Sequence, residues 1–377
     1  MRLLIVIDSL RFHGGAHVAT MLMARELIAR GISVTFLSGE VPDSEMAAKL
    51  PGARFIELPF PNHGIRRFVR RVCNRLHLGW FPVWVLDPTR KYRKLAAQYD
   101  TIAVIGENNP YRGFVASVPK GPRKVVFIHT DYIRWRTAWQ WSRDDSRCDR
   151  WTYHHYDKIA VVGKANTERF AAYYPQFNDK VCPFINLIDA NAIWIDHAPK
   201  DKGDELQLVS LTRIEATPKK ISRYLEIAQK LKERWLRFKW TVYGDGPLLD
   251  ALRLEVHRRG IGDVFELAGF DASARNRLGE YDLFLLLSSW EGLPNVIYES
   301  LIAGTPVFAT DVGAISEQVE HDKTGFLVRD DDEEIAVALE GVLRDRARIA
   351  IWRKNLEGYH YDNDKVVEQH LDILGFK

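Results

Sequence analysis

Short apolar runs alternate with longer amphipathic segments along the whole chain. In the first half, an apolar run at residues 3–8 is followed by a glycine loop, an amphipathic segment at 16–30, Gly31 and a second apolar run at 32–38. Helical spacing between two strand-like runs predicts a β-loop-α-β unit in which Gly31 caps the helix. Further strands are predicted at residues 101–106, 124–129 and 158–163.

The same alternation restarts in the second half. Strands are predicted at residues 206–213, 239–246, 264–270 and 282–288. One helix is predicted at 221–232, and a second helix ends at residue 259. Such alternation predicts two doubly wound α/β sheets. A chain of 377 residues also exceeds what one hydrophobic core usually organises, so we expect two domains. Their junction is predicted near residues 184–194.

Composition indicates a soluble globular protein, with 46% hydrophobic and 27% charged residues. No apolar stretch is long enough to span a bilayer, and Asp8 and Arg11 interrupt the N-terminal run, which argues against a secretion signal. The three cysteines are widely spaced, which favours a reducing cytosol and neither a disulfide framework nor a zinc site.

The segment 288–307 carries the strongest chemical signal. It places Glu291 on a loop after a predicted strand and Glu299 in the early turns of a helix that begins near Pro294 and is capped by Gly304. The amides of Asn295, Val296 and Ile297 are predicted to be free for a phosphate, while the carboxylates accept hydrogen bonds from hydroxyls. A nucleotide sugar meets both demands. For either glutamate alone, the better interpretation is that Glu299 complements the helix dipole and that Glu291 lies in solvent.

The segment from Gly292 to Val328 resembles retaining glycosyltransferases of family 4, whose E-x7-E motif matches Glu291 and Glu299. The resemblance implies the GT-B fold, with two Rossmann-like doubly wound domains and the active site in the interdomain cleft. It also implies that Glu291 lies near the donor sugar and that Glu299 holds the ribose. Ala314 departs from the family pattern, which has a glycine there.

The resemblance also implies a domain division. Residues 1–189 would form an acceptor-binding domain and residues 190–354 a nucleotide-sugar-binding domain, with a helix at about 355–377 packing back on the first. Asn186 and Asp189 match the end of the family's first domain, although Leu187 replaces the usual proline.

Basic residues near Arg213 predict stabilisation of a diphosphate. Arg213 ends a predicted strand, and Lys219 and Lys220 open the next helix, so fixed cations would face charge that grows as the glycosidic bond breaks. This arrangement resembles the family's Arg and Lys pair. Counting back from the helix favours Lys220 as the catalytic lysine and leaves Lys219 as a donor-binding residue; a solvated lysine pair is the alternative.

Further donor contacts are predicted where strands end. Gly244, Gly246 and Pro247 follow one strand, and their lack of bulk would allow backbone approach to the nucleotide. Gly14 and Gly15 follow the first strand but lack the full dinucleotide fingerprint, so no nicotinamide site is expected. His129 also ends a strand, and the resemblance implies contact with the donor sugar. Phe270 and Leu293 complete the predicted donor set.

Charge is distributed unevenly. Residues 1–190 contain 28 basic and 17 acidic side chains, a net charge of +11, whereas the remainder carries −8. Helical spacing near residue 68 groups Arg66, Arg67, Arg70 and Arg71 opposite an apolar face. This pattern fits an amphipathic helix on an anionic membrane and a core helix with a basic outer face equally well. No nucleic-acid-binding motif accompanies the charge.

We therefore expect a cytoplasmic retaining hexosyltransferase, peripheral on the inner face of the membrane. It would use a nucleoside-diphosphate sugar, UDP-linked in preference to GDP-linked, to extend a lipid-linked or lipopolysaccharide glycan without a metal or other cofactor. Two alternatives are a nucleotide-sugar epimerase of the same fold and a non-catalytic subunit that binds nucleotide sugars or glycans.

Overall fold

The structure is a computed structural model, and it describes residues 1–10, 14–58, 92–107, 109, 111–138, 145–193 and 203–377. The chain divides into two compact units. Unit 1 comprises Met1–Leu187 and Asn363–Lys377, and unit 2 comprises Ile188–Asp362. The predicted basic helix with Arg66, Arg67, Arg70 and Arg71 lies outside the described residues. Among the residues that are described, no helix has the length and apolarity needed to cross a membrane.

Unit 1 contains a seven-stranded parallel sheet in the order β3-β2-β1-β4-β5-β6-β7. The strands in the middle of the sheet are buried on both faces, which explains their continuous apolar sequences; Leu3 to Ile7 have no exposed surface. The strands are β1 (Arg2–Ile7), β2 (Ser33–Ser38), β3 (Arg54–Glu57), β4 (Thr101–Ile105), β5 (Arg123–Ile128), β6 (Lys158–Val162) and β7 (Val181–Phe184). The helices are α1 (Gly15–Ala29), α2 (Ser44–Ala48), α3 (Tyr92–Ala96), α4 (Arg112–Ala116), α5 (Tyr132–Ala138), α6 (Asp145–His154) and α7 (Lys164–Tyr173).

Unit 2 contains a six-stranded parallel sheet in the order β10-β9-β8-β11-β12-β13. Strand order reverses between β8 and β11, and that reversal opens a crevice at the carboxyl ends of these strands. The strands are β8 (Leu206–Leu211), β9 (Phe238–Tyr243), β10 (Phe265–Gly269), β11 (Leu283–Leu286), β12 (Val307–Thr310) and β13 (Gly325–Val328). The helices are α8 (Ile221–Glu233), α9 (Leu249–Arg258), α10 (Asn295–Ile302), α11 (Asp332–Arg344) and α12 (Arg346–Asn355). The two predicted doubly wound sheets are thus confirmed.

The last helix, α13 (Asn363–Leu374), belongs to unit 1. The buried His370 side chain joins it to the residue that follows β7, because its Nε2 lies 2.9 Å from the carbonyl oxygen of Ile185. The Thr101 hydroxyl adds a second link by donating to the carbonyl of Leu374 at 2.9 Å. These contacts attach the end of the chain to strands formed by its first half.

The burial of His370 predicts that unit 1 loses stability in acid. Burial lowers the pKa of His370 from 6.5 to about 4. The unfolded state therefore binds the proton more tightly, and stability that is present at neutral pH is lost as the pH falls from 6.5 toward 4. We expect His370 to account for a loss of about 2 kcal/mol between pH 7 and pH 5. Urea unfolding at both pH values should show a smaller loss in His370→Gln; an identical loss in both proteins would contradict this role.

Candidate active site

The crevice of unit 2 brings together two predicted site residues that are far apart in sequence. Lys219 follows β8 and Glu291 follows β11, and Lys219 Nζ lies 2.5 Å from Glu291 Oε1. The two loops are also joined through their backbones, since Ser289 N–H donates to the carbonyl of Pro218 at 2.9 Å. Both side chains are largely buried, with 17% and 10% of their surface exposed. The pair therefore holds a fixed charge arrangement at the point where ligands bind in open α/β sheets.

Arg213 and Glu215 extend this cluster toward solvent. Arg213 donates to Glu215 Oε2 at 2.7 Å, and its side chain is 62% exposed. Burial raises the pKa of Glu215, while the positive charges of Arg213 and Lys219 oppose that rise. The cluster thus contains two cations and two carboxylates, and its exposed guanidinium can reach an incoming anion.

The two neighbouring lysines point to different partners. Lys220 has a left-handed backbone, with φ of 45°, immediately before α8. Its Nζ lies 3.7 Å from Asp330 Oδ1, an atom that also accepts from the buried Arg223 at 2.6 Å. Lys219, rather than the Lys220 favoured by helical counting, is therefore the lysine that the structure brings to Glu291.

Helix α10 carries the second glutamate. Burial raises the pKa of Glu299, and Arg275, 3.9 Å away, opposes that rise. Gly304 follows the helix with φ of 77°, as predicted for its cap. The predicted free amide of Ile297 is wrong, because this N–H donates to the carbonyl of Pro294 at 3.1 Å within the first turn.

The loop after β12 crosses the Glu291 loop closely. Ala314 N–H donates to the carbonyl of Gly292 at 3.1 Å, and Gly313 adopts φ of 65°. A Cβ atom at Gly313 would lie 2.1 Å from the carbonyl oxygen of Glu291. Ala314 has φ of −115°, a conformation open to any residue, which explains why alanine is accepted where the family has glycine.

This close crossing predicts that Gly313→Ala destabilises unit 2. The left-handed conformation alone costs a non-glycine residue roughly 1–2 kcal/mol, and the clash with the Glu291 backbone adds to it. We expect a loss of at least about 2 kcal/mol in urea unfolding. The matched variant Ala314→Gly should lose only about 1 kcal/mol, the value of one buried methyl group. Equal losses would show that the crossing imposes no steric requirement.

Two of the predicted donor-site glycines pack closely against the backbone of the segment that follows β8. A Cβ at Gly244 would lie 1.8 Å from the carbonyl oxygen of Thr212, and one at Gly246 would lie 2.3 Å from that of Ile214. Both glycines therefore allow two backbone segments of the crevice to pack together. Of the remaining donor candidates, Pro247 and Phe270 are exposed, whereas Leu293 is buried.

Unit 1 presents a second group of polar side chains at the carboxyl edge of its own sheet. Asp8 follows β1, Glu107 follows β4 and His129 follows β5, while Gly14 and Gly15 begin α1. His17 Nε2 lies 3.3 Å from Asp8 Oδ1. Burial raises the pKa of Glu107, although the backbone N–H groups of Glu107 and His129 partly offset this. Asp8 and Glu107 were not singled out from the sequence, though each is a carboxylate directly after an apolar run.

His129 is neutral in this environment. Burial, with added repulsion from His370 and His17, lowers its pKa from 6.5 to about 3. Its ring packs edge-on against Phe184, with centroids 5.0 Å apart. The buried Asp131, which directly precedes α5, accepts from the backbone N–H of Arg134 at 3.2 Å.

Comparison with known structures identifies the class of protein. The chain superimposes on WaaG, a glycosyltransferase involved in lipopolysaccharide biosynthesis, with a TM-score of 0.75, 15% identity and 99% of each chain covered. It superimposes on HepE from Anabaena in complex with UDP-glucose with a TM-score of 0.74, 15% identity and full coverage of both chains. Two doubly wound sheets of this kind define the GT-B fold of glycosyltransferases.

Sequence comparison then identifies the family. The model of glycosyl transferases group 1 matches residues 193–358, and the model of glycosyltransferase family 4 matches residues 13–191. The chain belongs to glycosyltransferase family 4. It is 34% identical over 142 residues to WcaL of Escherichia coli strain K12, named for colanic acid biosynthesis, with 35% of this chain and 34% of WcaL covered. The chain thus spans about a third of the length of the curated relatives that it matches.

Proposed function

We propose that the protein is a retaining glycosyltransferase that moves a hexose or N-acetylhexosamine from a nucleoside-diphosphate sugar to a glycan acceptor in bacterial-type polysaccharide synthesis. The observation that carries the proposal is the Lys219–Glu291 pair at the crevice of unit 2, with the exposed Arg213 beside it. A UDP-linked donor is favoured over a GDP-linked one, because HepE, a structural relative, holds UDP-glucose.

Different residues of unit 2 are proposed to stabilise the leaving diphosphate and to bind the donor hydroxyls. When the bond between the anomeric carbon and the diphosphate breaks, negative charge grows on the leaving oxygen. Arg213 and Lys219 supply positive charge where that oxygen would lie, so they stabilise the transition state more than the ground state. Glu291, held by Lys219, accepts from a sugar hydroxyl, and Glu299 accepts from the ribose hydroxyls. In this scheme protein groups alone stabilise the leaving diphosphate, and no metal ion is required.

Residues of unit 1 are proposed to contact sugar hydroxyls. His129 is assigned to the transferred sugar on family resemblance, and its lowered pKa means that it acts as a neutral hydrogen-bond donor or acceptor. Asp8 and Glu107 are candidates for acceptor hydroxyls, since both carboxylates lie at the carboxyl edge of the sheet.

A thermal-shift panel tests the donor assignment. The melting temperature should rise with UDP, and rise further with a UDP-sugar, because a ligand that binds only the folded state stabilises it. GDP and GDP-sugars should have smaller effects. A larger effect of GDP would reassign the base, and no effect of any nucleotide would remove the support for a donor site in unit 2.

A membrane-peripheral location is proposed on the charge pattern of the first half. Changing Arg66, Arg67, Arg70 and Arg71 together to glutamate should abolish binding to anionic vesicles, because each basic side chain near such a surface contributes about 1 kcal/mol. Binding of soluble UDP should be unchanged, and high salt should reproduce the loss of vesicle binding by screening. If neither charge reversal nor high salt reduces vesicle co-sedimentation, this segment is not the membrane contact.

A further inference from the structure

One tryptophan of unit 2 is almost fully exposed. Trp235 lies two residues beyond the end of α8, and 91% of its surface is accessible. Its backbone has φ of 59°, and its N–H donates to the carbonyl of Lys232 at 2.9 Å. Helices commonly end on a left-handed residue of this kind, but the residue is usually glycine, because a side chain is strained there. A large aromatic ring at such a position, facing solvent, is not explained by folding.

Trp235 borders a shallow cavity of about 350 Å³. That volume is near the lower end of the range of small-molecule sites, about 300–1,000 Å³. Buried Leu343 and partly buried Leu236 contribute apolar surface to it. Among the residues that the structure describes, the cavity is lined by Asp204, Trp235, Leu236, Arg237, Leu343, Arg344 and Arg346.

The arginines of the lining differ in how far they are engaged. Arg346 donates to the backbone carbonyls of Gly203 and Asp204, so it holds the wall of the cavity. Arg344 lies 2.9 Å from Glu340. Arg237 is 74% exposed, and its one ion pair within the described part of the chain is with Asp204, at 3.5 Å. The Arg237 guanidinium is therefore the lining group most able to take a new acidic partner.

This chemistry matches an acidic saccharide. An aromatic face packs on the apolar face of a sugar ring, Asp204 can accept from hydroxyls, and arginine pairs with a carboxylate. A bilayer would instead need an extended apolar surface, whereas Trp235 is the one large exposed hydrophobic side chain among the described lining residues. We propose that the Trp235 cavity is a glycan-binding site, distinct from the candidate active site, for saccharides that carry carboxylates.

Its position in the fold separates it from the reaction. The cavity lies at the amino-terminal ends of β8 and β9, since Leu206 N–H donates to the carbonyl of Arg237 at 3.1 Å. Arg213 and Gly244 follow the opposite ends of these six-residue strands, which span roughly 17–20 Å. If the proposed function holds, the cavity binds a distal part of the acceptor or product and not the reacting sugar.

The test reads binding at Trp235 and needs no transfer activity. Protein labelled with 5-fluorotryptophan and saturated with UDP is titrated with tetragalacturonate or with neutral maltotetraose, and fluorine NMR follows the Trp235 resonance, assigned from Trp235→Gly. We expect a saturable shift with tetragalacturonate, about tenfold weaker binding in Arg237→Ala, and weaker binding of maltotetraose throughout. Isothermal titration with tetragalacturonate, which does not depend on the Trp235 resonance, should show that Trp235→Gly loses the binding, while its melting temperature stays equal or rises because glycine relieves the backbone strain.

Two results would overturn the proposal. The first is a Trp235 resonance that responds to neither saccharide, or tetragalacturonate affinity that is unchanged in Trp235→Gly. The second is a response to phosphatidylglycerol vesicles without a response to saccharides, which would make Trp235 a membrane contact. UDP occupies the proposed donor site throughout, and transfer is not measured. A failure of saccharide binding therefore leaves the proposed transferase function standing, and a failure of transfer leaves the saccharide site standing.

Discussion

Replacing Lys219 with methionine should lower kcat for glycosyl transfer by roughly 100-fold, the effect typical of removing one preorganised charge from a developing anion. Lys219 Nζ contacts Glu291 Oε1 at 2.5 Å and lies at the crevice between β8 and β11. The KM for the donor should change much less, since the charge matters most as the diphosphate leaves. Steady-state kinetics with a radiolabelled donor would measure both quantities.

Lys220→Met is the matched control, because it removes the same charge one residue away. Its Nζ lies 3.7 Å from Asp330 and has no described contact with Glu291, so kcat should fall at least tenfold less. The double variant Lys219→Met with Glu291→Gln removes the unpaired carboxylate that the single change leaves buried. If the double variant recovers full turnover, or if Lys220→Met is the more damaging change, Lys219 is not the leaving-group cation.

Glu299→Ala should weaken UDP binding by about 1.5–3 kcal/mol, or roughly 10- to 150-fold, the value of a hydrogen bond to a charged group. The Glu299 side chain is 12% exposed, and its charge is offset by Arg275, so it is held in place before any ligand arrives. Isothermal titration with UDP measures the effect directly.

The exposed Glu226 on α8 supplies the control for this change. Glu226→Ala should leave UDP affinity unchanged, and the melting temperature of both variants without ligand shows whether the fold is intact. UDP affinity of Glu299→Ala equal to that of the unchanged protein would remove Glu299 from the donor site.

The sequence predicts most of the fold for a simple physical reason. Strands buried on both faces, such as β1 and β4, must be continuously apolar, and the left-handed Gly304 follows its helix as glycine usually does. The choice between Lys219 and Lys220 could not be made in the same way. Helical counting assumes regular backbone, and the left-handed φ of Lys220 changes the direction of the side chain before α8 begins.

Other features depend on strand order, which a single sequence does not reveal. Asp8 and Glu107 become neighbours only because β1 pairs with β4. The proximity of Lys219 and Glu291 similarly needs β8 beside β11, although 72 residues separate them. Trp235 had no distinguishing local pattern, since its exposure results from the way α8 ends.

Donor consumption with and without a glycan acceptor tests the central proposal most directly. Purified protein is incubated with a UDP-sugar alone, or with the sugar and a lipopolysaccharide-type oligosaccharide, and NMR follows UDP release and the configuration of the new glycosidic bond. We predict UDP release that depends on the acceptor and a product that keeps the donor's anomeric configuration. Conversion of the donor to another UDP-sugar without acceptor would contradict the proposed transferase. So would a protein that binds the donors but neither transfers nor converts the sugar across a panel of donors and acceptors.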